Sequence, residues 1–202
     1  MKITGIYLAA GYSERMGVMN KLTLKLGNKE MGRWGLERAI DSNLDEIIIV
    51  AQDRSALDLS GLSTKNVTTI EITECREGQS HSLKTGLKQA YSLNSDAVVV
   101  LLADQPFITT QMINELLQIY KKNPTTSFVA STFHDIVQPP VLIANHLFPK
   151  ILLLKGDQGA KQVLKGKMEQ GILLPFYDEQ LFTDIDYMEE YVFWKKQVES
   201  IR

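Results

Sequence analysis

The stretch that decides the fold is Leu8-Ala9-Ala10-Gly11-Tyr12-Ser13-Glu14-Arg15-Met16-Gly17, with Asn20-Lys21-Leu22 close behind. An apolar run of strand type leads into it. The small residues at 9–11 let the backbone approach a ligand closely, and Arg15 and Lys21 supply positive charge for phosphate oxygens. A strand that opens into such a loop is suited to holding phosphates. Taken alone, the loop is explained equally well as a solvated turn.

Counting excludes two common phosphate loops. Five residues separate Gly11 from Gly17 and Val18 follows, so the Walker pattern is missing. The dinucleotide fingerprint fails as well, because Ser13 and Met16 stand where it requires glycine. The loop is therefore neither a Walker loop nor a dinucleotide-binding loop.

The apolar runs predict an α/β fold. Strands are expected at Ile3–Ala10, Glu46–Ala51, Val67–Ile72 and Ala97–Ala103. Apolar residues at helical spacing predict helices over residues 31–42, 80–92 and 109–121. Runs that are apolar at every position are typical of parallel strands covered on both faces. Strand and helix alternate, so we expect a doubly wound, mostly parallel sheet.

The pattern becomes less regular after Pro124. Strand-like segments at Ser127–Ser131 and Val141–Ile143 flank Pro139-Pro140, which we expect to break the chain's extended run. Because proline cannot donate to a ladder, edge or antiparallel strands are expected here. A last amphipathic helix over about residues 187–200 is expected to pack its aromatic residues in the core. With no repeat and no linker in sight, residues 1–202 are expected to form one domain.

Composition narrows the class of protein. The chain has 202 residues, of which 44% are hydrophobic, and a net charge of -2. This charge argues against broad binding to nucleic acid. The single cysteine excludes an intramolecular disulfide. No apolar stretch approaches the length of a membrane span, so a cytoplasmic location is expected.

An aspartate stands at the end of the most hydrophobic strand. Asp104 follows Leu101-Leu102-Ala103, at the strand end where ligands of open α/β sheets bind. Such an aspartate is equally often a turn or cap residue. Beside triphosphate oxygens, however, a carboxylate needs a bridging cation, and Mg²⁺ is the expected one. Asp104 is therefore the first choice of metal ligand.

A second acidic cluster precedes the last helix. Asp186 is the preferred second metal ligand and Asp184 the alternate. Asp186 also lies three residues before Glu189, as in a capping box, so helix capping alone could explain it. The two roles do not exclude each other.

The segment Glu77–Lys84 lies between a strand and a helix. Its polar residues Ser80, His81 and Ser82 would present amides and hydroxyls to a ligand, although Ser80 could simply cap the helix. His81 is interpreted as a binding or structural residue, because an ionised phosphate needs no general base.

Several motifs in the same order resemble the MobA-like NTP transferases, and within them the molybdenum cofactor cytidylyltransferases. The resemblance covers nearly the whole chain. The matching segments are residues 8–21, 78–84, 102–106, 140–142, 156–160, 184–186 and 189–191. It implies a Rossmann-like fold similar to that of the nucleotide-sugar transferases.

The resemblance also implies roles for individual residues. Phosphate stabilisation falls to Arg15 and Lys21, and Mg²⁺ binding to Asp104. Nucleotide contacts are implied for Leu8, Ala9, Ala10, Gly11, Ser80, His81 and Ser82. The variants Ala9-Ala10-Gly11 and Asp104-Gln105-Pro106 are similar to those of the cytidine-using branch, so the implied reaction transfers CMP from CTP to the terminal phosphate of molybdopterin and releases pyrophosphate.

Two departures concern the second substrate. Where many members have a glycine-rich His-Pro-Val segment, the chain has Asp135-Ile136-Val137-Gln138-Pro139-Pro140-Val141, and it has Lys161 where they have arginine at the end of the Gly-Asp-x-Gly-Ala motif. The Pro-Pro variant resembles members associated with purine catabolism, which implies a molybdenum hydroxylase such as xanthine dehydrogenase as recipient of the cofactor. A transferase acting on a sugar or alcohol phosphate, or a non-catalytic cofactor carrier, would share the loop and the fold.

Overall fold

The computed structural model describes residues 1–11, 16, 20–53, 57–72, 79–156 and 159–200. The strands are β1 (Ile3–Ala9), β2 (Lys25–Leu26), β3 (Lys29–Glu30), β4 (Glu46–Ala51), β5 (Val67–Glu71), β6 (Ala97–Leu102), β7 (Phe128–Phe133), β8 (Ile136–Ala144) and β9 (Gly171–Pro175). The α-helices are α1 (Met31–Ile40), α2 (Gln79–Ser92), α3 (Thr110–Lys122), α4 (Phe148–Ile151), α5 (Lys161–Lys165) and α6 (Met188–Ser200).

One mixed sheet organises the chain, in the order β5-β4-β1-β6-β8-β7-β9. Strands β5, β4, β1 and β6 run parallel, and β9 runs parallel to β7. The four strands and three helices expected before Pro124 are present, with ends that differ by at most two residues. The expected α/β class with a doubly wound, mostly parallel sheet is confirmed.

Each central strand feeds two hydrophobic cores. In β1, Ile3 and Tyr7 point to the face covered by α1, α3 and α6, while Ile6 and Leu8 point to the face covered by α2, α4 and α5. Helix α2 lies very close to the sheet, since a Cβ built on Gly86 would fall 2.5 Å from Ile6 Cγ2. Because the central strands are buried on both faces, their sequences are apolar along most of their length.

The second half of the sheet corrects one expectation. Strand β8 is antiparallel to its neighbours, as expected, but it runs through Pro139-Pro140 and lies between β6 and β7 rather than at an edge. Val141 pairs with Ala130, whereas Gln138 pairs with Ser131, so the two prolines are extra residues in a bulge. Residues in a bulge do not pair with the neighbouring strand, so the missing N–H groups of the two prolines cost no hydrogen bonds between strands.

Helix α6 is only partly amphipathic. Tyr191 is buried, and the Trp194 ring packs 4.7 Å from that of Phe107. Phe193 and Val192 are exposed, so the expectation that the aromatic residues of this helix pack in the core is wrong for Phe193. Among the described residues, no helix has the length and apolar character to cross a membrane.

Candidate active site

The candidate site lies where β1 and β6 end. The N–H of Ala103, just after β6, donates to the Leu8 carbonyl at 3.0 Å. The side-chain amide of Gln52, just after β4, donates to the Ala10 carbonyl at 3.2 Å. These bonds fasten the start of the glycine loop to both neighbouring strands, which places Asp104 beside it.

Lys21 is brought to the same place by a short 3-10 helix. This helix spans Lys21–Thr23, and the Asn20 side chain caps it by accepting a hydrogen bond from the Leu22 N–H. Lys21 Nζ lies 2.8 Å from Asp104 Oδ2 and 2.6 Å from Asp186 Oδ1. Two carboxylates that lie 83 and 165 positions after Lys21 in the chain thus share its ammonium group.

Lys21 is almost completely buried, with 6% of its surface exposed. Burial alone would lower the pKa of its ammonium, but the charges and hydrogen bonds of Asp104 and Asp186 outweigh this effect and raise the pKa above its usual value. A lysine in a phosphate-binding loop would ordinarily be exposed to solvent. Lys21 is buried instead, because its side chain lies between two segments that are distant along the chain.

The segment before α6 is fixed by its backbone. The Ile185 N–H donates to the Asp104 carbonyl at 3.1 Å, and the Ile185 side chain is fully buried. Helix α6 is capped by Glu190, whose carboxylate accepts hydrogen bonds from the N–H groups of Asp186 and Tyr187. The cap therefore uses Glu190 and not Glu189, one residue later than the capping-box spacing predicts. The carboxylate of Asp186 contacts Lys21 instead.

A third carboxylate faces this pair. Desolvation, followed by the negative charges of Asp104 and Asp186, raises the pKa of the Asp184 carboxyl to about 6, although a hydrogen bond from Gln105 opposes the shift. Gln105 itself is buried, and its Oε1 has no hydrogen-bond partner among the described residues. In the sequence, this glutamine stands out only as part of the Asp104-Gln105-Pro106 variant. The sequence does not indicate that the amide of Gln105 is buried or that it donates a hydrogen bond to Asp184.

The donor set fits a divalent cation. Mg²⁺ is bound through oxygen, commonly by one or two carboxylates together with substrate phosphates. Asp104 and Asp186 already converge on one positive charge. Within the described ranges, no group of three or more acidic, histidine or cysteine side chains is placed to hold a metal, so phosphates or water would complete the coordination.

The residues expected to contact nucleotide lie along the end of β1 and the start of α2. Leu8, Ala9 and Ala10 are buried, whereas Gly11 is exposed. Ser80 is the second residue of α2 rather than its cap, and Ser82 is buried nearby on the same helix. Arg15 lies outside the described residues.

Ser80 is the most unusual of these side chains. Only 1% of its surface is exposed, and its hydroxyl has no hydrogen-bond partner within the described part of the chain. Its backbone N–H donates to the Gly156 carbonyl at 3.1 Å. A buried hydroxyl without a partner costs about 1–3 kcal/mol. Such a group is ready to bond to a ligand.

An apolar cavity of about 200 Å³ lies on the α2 side of the sheet. Leu8, Leu83 and Leu102 join it to the end of β1, the first turns of α2 and the end of β6. Pro139 and Lys161 also line it. Both departures from the family pattern, the one that includes Pro139-Pro140 and the one at Lys161, therefore border the same cavity, next to the glycine loop.

Known proteins resemble this chain along most of its length. The model of the MobA-like NTP transferase domain matches residues 5–172. The purine catabolism protein PucB of Bacillus subtilis is 34% identical over 197 residues, which cover 94% of each chain. The molybdenum cofactor guanylyltransferase of Cereibacter sphaeroides is 30% identical over 108 residues, which cover 54% of this chain and 53% of that enzyme.

The fold has close structural relatives as well. A nucleotidyl transferase from Methanothermobacter thermautotroptrophicus superposes with a TM-score of 0.80 at 17% identity, covering 100% of this chain and 99% of that one. This likeness confirms the nucleotide-diphospho-sugar transferase type of fold, and the family match together with the PucB identity confirms the family. The chain therefore belongs to the MobA-like NTP transferases and is a nucleotidyltransferase of that family.

Proposed function

We propose that this nucleotidyltransferase is a Mg²⁺-dependent cytidylyltransferase that transfers CMP from CTP to the terminal phosphate of molybdopterin. The observation that carries the proposal is the convergence of Lys21, Asp104 and Asp186 at the end of β1. One cationic and two anionic groups beside a small-residue loop suit a metal-bound triphosphate. The likeness to a molybdenum cofactor guanylyltransferase supports a molybdenum cofactor as acceptor.

The reaction is a phosphoryl-group displacement. An oxygen of the acceptor's terminal phosphate forms a bond to the α-phosphorus of CTP. The bond from that phosphorus to the oxygen bridging the β-phosphate breaks, and pyrophosphate leaves. The attacking oxygen is already ionised, so the protein supplies position and charge rather than a base.

The charged residues have separate tasks in this reaction. Lys21, together with Arg15, neutralises negative charge on the triphosphate, and Asp104 and Asp186 hold Mg²⁺. When bound, Mg²⁺ supplies charge stabilisation to the phosphate oxygens. The buried Gln105 positions the segment that carries Asp186, since it donates a hydrogen bond to Asp184 in that segment. Losing one such electrostatic group costs about 3 kcal/mol of transition-state stabilisation.

Nucleotide recognition falls to the two segments that meet beside the cavity. Leu8 to Gly11 give the triphosphate close access to backbone, and Ser80, His81 and Ser82 face the nucleoside. The unpartnered Ser80 hydroxyl supports this assignment, because a ligand would satisfy it. The second candidate is GTP, which the guanylyltransferase relative favours.

The acceptor is proposed to occupy the cavity lined by Pro139 and Lys161. Apolar walls suit the flat face of a ring system, and the lysine suits a phosphate. The name of PucB refers to purine catabolism, which supports a purine-oxidising molybdenum hydroxylase, such as xanthine dehydrogenase, as the recipient. A sugar or alcohol phosphate remains the alternative acceptor, and a non-catalytic carrier the alternative function.

Pyrophosphate release tests the proposal. The purified chain is supplied with Mg²⁺, with CTP or GTP, and with molybdopterin or a panel of sugar and alcohol phosphates. We expect release with CTP and molybdopterin, and at least a tenfold preference for CTP over GTP, which corresponds to about 1.4 kcal/mol. Preference for GTP would refute the cytidylyl assignment, release with another acceptor would refute the molybdopterin assignment, and nucleotide binding without any release would favour the carrier.

A further inference from the structure

The ammonium group of Lys21 lies between the two carboxylates proposed to hold the metal. It is 2.8 Å from Asp104 Oδ2 and 2.6 Å from Asp186 Oδ1, which are distances of charge-assisted hydrogen bonds. With 6% of its surface exposed, Lys21 is not a solvated side chain that touches these groups in passing. Its single positive charge offsets part of the negative charge of the carboxylate pair from within the protein.

A divalent cation and this ammonium group compete for the same oxygens. Both are positive, and both need the Asp104 and Asp186 oxygens on the side where they converge. Two cations placed within a few ångströms of each other repel strongly in a partly buried site. Direct binding of the metal to both carboxylates therefore requires Lys21 to withdraw.

The structure gives Lys21 the means to withdraw without disturbing the fold. Its backbone is held by the Asn20 cap and by the Leu24 N–H, which donates to the Lys21 carbonyl. Its four-carbon stem has rotatable bonds that move the ammonium group independently of this anchor. A triphosphate bound along the glycine loop offers the withdrawn ammonium a new set of anionic partners.

We propose that Lys21 holds the place of the divalent cation in the free protein and leaves it only when metal and triphosphate arrive together. This inference rests on the proposed function, because it takes Asp104 and Asp186 as the metal ligands. Metal alone must displace Lys21 with no compensation, so it binds weakly. Metal with nucleotide binds tightly, because the phosphates accept the displaced lysine. The lysine thereby couples the two binding events.

Binding of Mn²⁺, followed by electron paramagnetic resonance of the free ion, tests the inference without any turnover. The decisive variant is Lys21→Met, which removes the competing charge and keeps an apolar stem. The matched control is Lys29→Met, which removes a lysine that pairs with Glu37 away from the site. In the absence of nucleotide, Lys21→Met should bind Mn²⁺ at least tenfold more tightly than the wild-type chain, and Lys29→Met should match the wild type.

The effect of CTP on Mn²⁺ binding gives a second readout. In the wild type and in Lys29→Met, CTP should tighten Mn²⁺ binding, because it supplies ligands and also receives Lys21. In Lys21→Met the tightening should be smaller by at least tenfold, because only the ligands remain. If Lys21→Met does not fold, Lys21→Gln serves the same comparison with a neutral polar side chain.

Equal or weaker Mn²⁺ binding by the Lys21 variants in the absence of CTP, or an effect of CTP on Mn²⁺ binding as large as in the wild type, would overturn the inference. That result is separable from failure of the proposed function. A chain that releases no pyrophosphate from CTP with any phosphorylated acceptor would refute the function while leaving the competition measurement intact. Normal release together with unchanged Mn²⁺ binding would refute the inference alone.

Discussion

At the end of β1, the two faces of the sheet differ in chemical character: one is charged and the other is apolar. On the face covered by α1, α3 and α6, Lys21, Asp104 and Asp186 form a dense charged cluster. On the face covered by α2, α4 and α5, an apolar cavity of about 200 Å³ adjoins the same strand end. Under the proposed function, the two sides have different tasks: the charged cluster stabilises the reacting phosphates, and the cavity selects the acceptor. Variants on one side should change turnover, and variants on the other should change selectivity.

The largest effect is expected on the charged side. Asp104→Asn keeps the shape of the side chain but loses the charge proposed to bind Mg²⁺, so turnover should fall by about a hundredfold or more while CTP binding persists. The measurement is pyrophosphate release, with CTP affinity determined in parallel. The control is Asp96→Asn at the opposite end of β6, where the carboxylate accepts a hydrogen bond from the Lys2 N–H. Near-normal turnover in Asp104→Asn would remove this residue from the mechanism.

Stability should also distinguish the charged cluster from ordinary surface pairs. Lys21→Met removes a buried ammonium that two carboxylates share, so the free energy of unfolding should drop by about 2 kcal/mol. Lys29→Met removes a more exposed lysine and leaves Glu37 paired with Arg33, so it should cost no more than about 1 kcal/mol. Urea unfolding of both variants without metal measures the difference. Equal losses would mean that Lys21 is no more structural than Lys29.

A smaller effect is expected on the cavity side. Ala160→Leu fills part of the apolar cavity at the start of α5, so the KM for the acceptor should rise by about tenfold, equivalent to 1.4 kcal/mol. CTP affinity and melting temperature should stay close to those of the wild type. Gln118→Leu on the exposed side of α3 adds a leucine away from the cavity as a control. An unchanged acceptor KM in Ala160→Leu would place the acceptor elsewhere.

The smallest effect concerns Ser80, at the start of α2. Ser80→Ala removes a hydroxyl that has no partner among the described residues, so unfolding should be unchanged or slightly harder. CTP affinity should weaken by up to about tenfold, the value of one neutral hydrogen bond. The contrasting variant is Ser95→Ala, whose buried hydroxyl is hydrogen-bonded to Thr4 at 2.7 Å, and which should lose stability without losing CTP affinity. The reverse pattern would assign Ser80 a purely structural role.

The parallel half of the fold could be predicted because local and tertiary signals agree there. Strands β1, β4 and β6 are apolar along most of their length because helices cover both faces of the sheet. At Pro139-Pro140 the local signal is misleading. Two prolines argue against a central strand, but a bulge places them where the ladder makes no demand on their missing N–H groups.

The candidate site could be predicted in its residues but not in its pairing. Asp104 and Asp186 are marked by their positions after a strand and before a helix. Nothing in the sequence shows that Lys21 reaches both, because the contact depends on how the 3-10 helix and the segment before α6 pack. The capping-box spacing likewise suggests Glu189, whereas the backbone turn at Asp186 and Tyr187 presents their N–H groups to Glu190. Long-range packing decides such choices.

The late position of Asp186 has a consequence for biosynthesis. A chain that has emerged from the ribosome as far as Pro175 contains every strand of the main sheet, yet it still lacks one of the two carboxylates that Lys21 joins. Helix α6 is synthesised after that point, and it docks through the bond from the Tyr191 hydroxyl to the Lys25 carbonyl and the packing of Trp194 on Phe107. The chain is therefore expected to have all strands of its main sheet before it acquires a complete charge cluster, and a nascent or proteolytically shortened chain that lacks Asp186 is expected to be inert.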